Sequence, residues 1–165
     1  MKASELNVVK SLRELDARSI GALAGVMRRR TWEDGELILK QGDLPDGLYF
    51  LLSGHIRVER RLPDGGTVGL STLGPGAMFG ALSALDGGQR AAHCLSWGST
   101  SCGWLSQSDF LDLNNGSSPM AMQFQLVILK VMFGDLRATN RRLAELATLP
   151  ALDMSALGEF ISGLG

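Results

Sequence analysis

Between residues 31 and 107, short apolar runs alternate with clusters of Gly, Asp and Pro, and this punctuation leaves few folds open. Leu37-Ile38-Leu39, Leu48-Tyr49-Phe50-Leu51-Leu52, Ile56-Arg57-Val58 and Val68-Gly69-Leu70 read as strands. Gly42-Asp43, Asp46-Gly47, Ser53-Gly54, Asp64-Gly65-Gly66 and Gly74-Pro75-Gly76 separate them as turns. Turns about 8–12 residues apart describe an all-β sandwich or barrel. Asp64-Gly65 is a hairpin signal, because that pair accepts the positive φ of a tight turn.

The flanks read as helical. Leu6, Val9, Leu12, Leu15, Ile20, Leu23, Ala24 and Met27 recur at helix spacing over 5–30. Arg28-Arg29-Arg30 reads as that segment's C-terminal end, where cations complement the helix dipole. Beyond the barrel, Ser118 suits an N-cap and Pro119 the first helical position. Met122, Leu126, Leu129, Phe133, Leu136, Asn140, Leu143 and Ala147 then follow a 4,3 rhythm. At about 1.5 Å per residue this helix is roughly 43 Å long, longer than one side of a small barrel needs. A parallel homodimer seam is expected, with Asn140 setting register; the alternative is a helix packed on its own barrel. Pro150 ends the helix, and Met154, Leu157, Phe160 and Ile161 suggest a short amphipathic turn that docks on its own domain or on a partner, with disorder as a third alternative. The expected organisation is an N-terminal helical segment (1–30), a barrel (31–112), a long helix (117–148) and a tail (149–165).

Composition narrows the function. A net charge of -1 argues against a nucleic-acid binder that works by bulk electrostatics. Cys94 and Cys102 are too few for a disulfide framework and read as reduced core thiols of a cytoplasmic protein. No apolar run approaches the roughly 20 residues of a membrane span, and Met1–Glu5 opens no signal peptide. His55 and His93 stand far apart, and no nucleophile elbow, Walker loop or dinucleotide fingerprint occurs. No catalysis, metal or cofactor is therefore expected. Asp43, Asp46, Asp64 and Asp86 read as turn residues, and Trp32, Tyr49, Trp97 and Trp104 as strand packing.

One stretch carries chemistry. Phe79-Gly80-Ala81-Leu82-Ser83 leads through Gly87-Gly88 to Arg90-Ala91-Ala92. It reads as a Gly-rich hairpin that aims one Arg at a pocket, with backbone N–H groups beside it. Glycines let the main chain come close, and Arg supplies a forked, permanently charged donor, so the set suits one small phosphate.

Together with Gly35-Glu36, Gln41-Gly42-Asp43, Leu48 to Gly54, Leu73-Gly74-Pro75-Gly76 and the long helix, this stretch resembles the bacterial catabolite-activator and cyclic-nucleotide-binding superfamily. The resemblance covers most of the chain, to about residue 148. It implies a mainly β fold: an eight-stranded double-stranded β-helix (jelly-roll) barrel with N-terminal helices and a long C-terminal dimerisation helix. It implies cyclic AMP or cyclic GMP bound inside the barrel. Arg90 is then expected to hold the cyclic phosphate beside the backbone N–H groups of Ala91 and Ala92, within a cassette that includes Phe79, Gly80, Ala81 and Leu82. Thr139 and Asn140 match the place of an adenine contact, and Ala91, where a Thr often accompanies cyclic GMP, leans toward cyclic AMP.

The departures also carry expectations. Where the family has a Glu that accepts from the ribose 2′-OH, this chain has Ala81, a loss of about 1.5–3 kcal/mol. His93 replaces a small polar residue and is expected on the strand outside the pocket, the alternative being a pH-sensitive contact within it. The 15 residues after Pro150 are too few for a helix-turn-helix, so output is expected through an unidentified protein partner rather than DNA. The competing expectation is a degenerate domain that no longer binds nucleotide and serves as a dimeric interaction scaffold.

Overall fold

The computed structural model describes residues 1–147, the Leu146 side chain excepted. The readings that involve Pro150 and the 149–165 tail lie outside the described residues. The chain divides into two compact units, Met1–Met132 and one that begins at Phe133.

The first unit opens on two 3-10 helices, Ala3–Val8 and Lys10–Glu14. Leu6, Val9, Leu12 and Leu15 fall every third residue, the period of a helix with about three residues per turn. All four are buried. Helix α1 (Ala17–Val26) follows, with the Asp16 carboxylate accepting from the Ser19 N–H at 2.7 Å as its N-cap.

Here the first expectation fails. Arg28-Arg29-Arg30 is not a helix end but opens strand β1 (Arg28–Trp32), paired antiparallel with Thr100–Trp104. A run of cations carries no periodicity, so only the distant partner strand decides between the two states. The cations serve separately: Arg29 pairs with Glu5 at 2.6 Å, and Arg30 lies over the Trp104 ring at 3.5 Å.

The remaining strands are β2 (Leu37–Leu39), β3 (Gly47–Arg61), β4 (Thr67–Leu73), β5 (Met78–Phe79) and β6 (His93–Ser106). The runs 48–52 and 56–58, expected as separate strands across a Ser53-Gly54 turn, are one continuous strand. Its register against β6 shifts on both sides of Ser53, so Ser53-Gly54 is a bulge and not a turn. The bulge divides β3 and β6 into halves. Gly47–Ser53 pairs with Ser101–Ser106, and β1 and β5 flank them. His55–Glu59 pairs with His93–Trp97, and β2 and β4 flank those. Six strands thus form two four-stranded halves, the eight segments of the expected barrel. The Asp64-Gly65 hairpin joins β3 to β4 as expected, with the Leu62 N–H donating to the Gly66 carbonyl at 2.8 Å.

Alternation along β3 sorts its side chains. Tyr49, Leu51 and Ile56 join Leu39, Phe79, Cys94 and Cys102 in a core drawn from both halves. Leu48 and Phe50 point the other way, into a core shared with the N-terminal helices, Phe110 and Phe124. Each such side chain contributes about 1.5–3 kcal/mol by leaving water. Burial pushes the thiols of Cys94 and Cys102 up to about 12, leaving both free and protonated. Trp97, expected to pack on a strand, is half exposed against the His55 ring.

Helix α2 (Ala81–Asp86) stands where a hairpin was expected, and α3 (Gln107–Asn115) was not anticipated. Its signal was local: the Ser106 hydroxyl accepts from the Asp109 N–H at 3.2 Å, an N-cap spacing. Helix α4 (Pro119–Ala147) begins as expected, with Ser118 accepting from the Ala121 N–H at 3.1 Å. Ala121, Phe124, Val127 and Ile128 bury one face of α4 in the first unit. Met122, Leu126, Leu129, Phe133, Leu136 and Leu143, the expected seam, are 47–59% exposed, and Asn140 is exposed too. The two alternatives for this helix therefore fall on two of its faces. One packs on its own core, and the other is left open.

Candidate functional site

Between Phe79 and Arg90 the chain turns twice through left-handed glycines. Gly80 (φ 76°) caps the start of α2 and Gly87 (φ 70°) its end. A Cβ at Gly80 would come within 2.7 Å of Arg90 Nη1, so both the backbone and the guanidinium require glycine there. Arg90 is anchored on its backbone as well. Its N–H donates to the Asp43 carbonyl at 2.8 Å, and its carbonyl accepts from the Gly42 N–H at 2.9 Å.

The Arg90 side chain is only 3% exposed. Nη1 donates to the Gly80 carbonyl at 2.7 Å and to the Ser83 hydroxyl at 2.8 Å. Nη2 donates to Asp46 Oδ1 at 2.9 Å and to the Gly47 carbonyl at 2.6 Å. A buried guanidinium is tolerated on such terms, with its charge paired and its donors met. Gly47 reaches this position with φ 142° and its backbone packed against the Leu105 carbonyl, where a Cβ does not fit.

Asp46 carries the cluster further. Its Oδ2 accepts from the Tyr49 hydroxyl at 2.6 Å and from Arg30 Nη1 at 3.1 Å. Arg30 Nη1 also donates to the Tyr49 hydroxyl at 2.9 Å. Burial works to raise the Asp46 pKa, but the Tyr49 hydroxyl, Arg90 and Arg30 outweigh it and hold the carboxyl below its ordinary 3.8. Burial and the neighbouring Asp46 carboxylate push the Tyr49 phenol well above its ordinary value, so it stays neutral. Phe79 stacks on the Tyr49 ring at 5.2 Å between centroids.

The expected site residues are thus dispersed in role. Gly80 and Arg90 are the centre of the cluster. Phe79 is a core residue under it. Ala81 is the buried first residue of α2 and presents only a methyl group. Leu82 and Ala91 are exposed, and Ala92 is half buried. Thr139 and Asn140 lie on exposed surface of α4 in the second unit. The ring of His93 is occupied by the chain itself, its Nδ1 accepting from the Gln41 N–H at 3.2 Å.

Sequence reading missed Asp46, Gly47, Ser83, Tyr49 and Arg30 as members of this cluster. In the sequence Asp46 reads as a turn residue, Tyr49 as strand packing and Arg30 as a helix end. No local signal links them, because Asp46 and Arg90 lie 44 residues apart. Ser83 alone was within reach, since a hydroxyl one turn into α2 faces the Arg that follows it.

Elsewhere β3 and β4 border an open groove of about 280 Å³ lined by Arg57, Val58, Glu59, Gly69, Leu70, Ser71 and Thr72, and it shares no residue with the cluster. Among the described residues no group of three or more His, Cys, Asp or Glu is placed to hold a metal ion. Nor is any described helix long and apolar enough to cross a membrane.

Comparison with known proteins converges on one family. Residues 29–116 match the family described as Cyclic nucleotide-binding domain. The cyclic AMP receptor protein of Thermus thermophilus is 38% identical over 86 residues, covering 52% of this chain and 40% of the relative. The cAMP-dependent protein kinase type II regulatory subunit of Drosophila melanogaster is 37% identical over 93 residues, covering 56% of this chain and 24% of the relative. The chain therefore spans less than half the length of either. A cyclic nucleotide-binding domain of Methylobacillus flagellatus superposes with a TM-score of 0.77 over 92% of this chain and 84% of that one, at 22% identity, a likeness of fold. With the family match running from β1 through the Arg90 cluster to the end of α3, the chain belongs to the cyclic nucleotide-binding domain family.

Proposed function

We propose that this domain is a non-catalytic cytoplasmic sensor of a cyclic mononucleotide, cyclic AMP ahead of cyclic GMP. In this reading it acts as a homodimer along α4 and passes its state to a protein partner. The observation that carries the ligand is the buried Arg90 guanidinium in the turn between α2 and β6. Its terminal N–H groups point at acceptors a phosphate can replace, and a charged acceptor outcompetes neutral carbonyls for a guanidinium. The similarity to a cyclic AMP receptor protein and to a cAMP-dependent protein kinase regulatory subunit supports cyclic AMP, and Ala91 supports it over cyclic GMP. The exposed Met122 to Leu143 face supports the homodimer, because a seam of that length at coiled-coil spacing needs a second helix. Ligand binding would favour one of two states of the domain, and a partner that distinguishes the states would read it.

A second reading has its own support. All four of the Arg90 contacts are internal, and Ala81 offers the ribose no acceptor, as in a domain retained as an interaction scaffold. Isothermal calorimetry with cyclic AMP and cyclic GMP separates the two. Heat that saturates, with cyclic AMP the tighter ligand, supports the sensor. No heat at millimolar nucleotide rejects it in favour of the scaffold.

A further inference from the structure

Asp46 divides its two oxygens between different cations. Oδ1 takes Arg90, and Oδ2 takes Arg30 together with the Tyr49 hydroxyl. A carboxylate bound on one oxygen only would be left unpaired when a ligand draws Arg90 away, and a half-buried carboxylate resists that. Here the two Oδ2 bonds do not involve Arg90. Arg30 is held for that duty: its guanidinium lies over the Trp104 indole at 3.5 Å and donates to the Tyr49 hydroxyl at 2.9 Å.

The same arrangement sets the local charge. Two guanidiniums face one carboxylate, and the Tyr49 phenol is neutral. Among the described residues no second carboxylate pairs with either guanidinium of the cluster, so it carries one positive charge in excess. The other acceptors of Arg90 are two carbonyls and a hydroxyl, which carry no charge to replace. A phosphodiester with a single negative charge balances that excess.

We propose that Arg30 is a positioning residue of the site. It keeps Asp46 paired while a phosphate engages Arg90, and it supplies the unbalanced charge that a monoanionic phosphodiester neutralises. This rests on the cyclic-nucleotide reading for its ligand, but not for the coupling between Arg30 and Arg90.

Arg30→Gln removes the charge and keeps a planar amide over Trp104, and Arg30→Lys restores the charge. Cyclic AMP affinity by calorimetry should fall about fivefold in Arg30→Gln and recover to within about twofold in Arg30→Lys. In an Asp46→Asn background the Arg30→Gln effect should shrink below about twofold, because the residue acts through that carboxylate. A loss that is the same in both backgrounds, or no loss, overturns the proposal. A ligand-free measurement separates it from the function itself. Nitrogen-15 NMR of the Arg90 guanidinium should show its proton exchange slowing about threefold in Arg30→Gln, as Asp46 turns wholly to Arg90. Unchanged exchange overturns the role of Arg30 whatever the nucleotide does. Slowed exchange in a protein that binds no cyclic nucleotide upholds the coupling and rejects the sensor.

Discussion

Arg90 is almost wholly buried and its terminal nitrogens reach four acceptors of its own chain, whereas six large apolar side chains of α4 lie about half in water. The polar cluster is complete within one chain. Among the described residues the apolar face is left open. Each is the costly arrangement for its residue type: a buried charge has lost its hydration, and an exposed apolar row orders water without return. The first cost is offset internally by carbonyls, a hydroxyl and Asp46. Among the described residues the second has no such offset, so the cluster is closed by its own chain while the helix face is left open.

The comparison breaks most visibly at the helix. Leu129→Glu with Leu136→Glu places charges in the proposed seam, removing four apolar side chains from a dimer at about 1.5–3 kcal/mol each. Sedimentation should show a change from two chains to one, with cyclic AMP binding still present. A wild-type protein that sediments as one chain at high concentration ends the second-copy reading.

Next in size is Arg90→Ala. It removes at least two charge-assisted bonds to a phosphate, a loss of about 100-fold or more in affinity. It also takes a donor away from the Gly47 and Gly80 carbonyls and from Asp46 Oδ1, so the melting temperature should fall in the ligand-free protein. Affinity for cyclic AMP that survives this change would place the ligand elsewhere.

Ala81→Glu sharpens the site in the opposite direction. A carboxylate at the first residue of α2 should gain about 1.5–3 kcal/mol with cyclic AMP, roughly 10- to 150-fold, and much less with its 2′-O-methyl analogue. An equal gain with both nucleotides removes the 2′-hydroxyl from the account of this position.

The smallest effect is on pH. The native Asp46 pKa lies below the ordinary 3.8, so its contribution to stability is fully present above that value. It is lost as pH falls through the lowered native value. Thermal melts should therefore show less acid loss in Asp46→Asn than in wild type over that acidic interval, and no difference in slope near neutrality. Parallel curves down to the acid limit would mean that Asp46 is not the ionised hub of the cluster.

What was legible in the sequence lay in neighbours along the chain. Apolar alternation marked the strands, Asp64-Gly65 marked its hairpin, and Ser118-Pro119 marked the start of α4, because each depends on backbone preferences within a few residues. The spacing of Gly80 to Arg90 identified the family through the same kind of local order. What only the tertiary structure decided was partnership. Arg28 to Arg30 became a strand because β6 offered it a ladder, and Ser53-Gly54 became a bulge because β6 continued past it. Asp46, Tyr49 and Arg30 entered the site because the barrel folds their strands beside Arg90. Periodicity tells a residue which face it will show. A charge needs to know what waits on that face, and the cations that answer Asp46 stand 16 and 44 positions away in the chain.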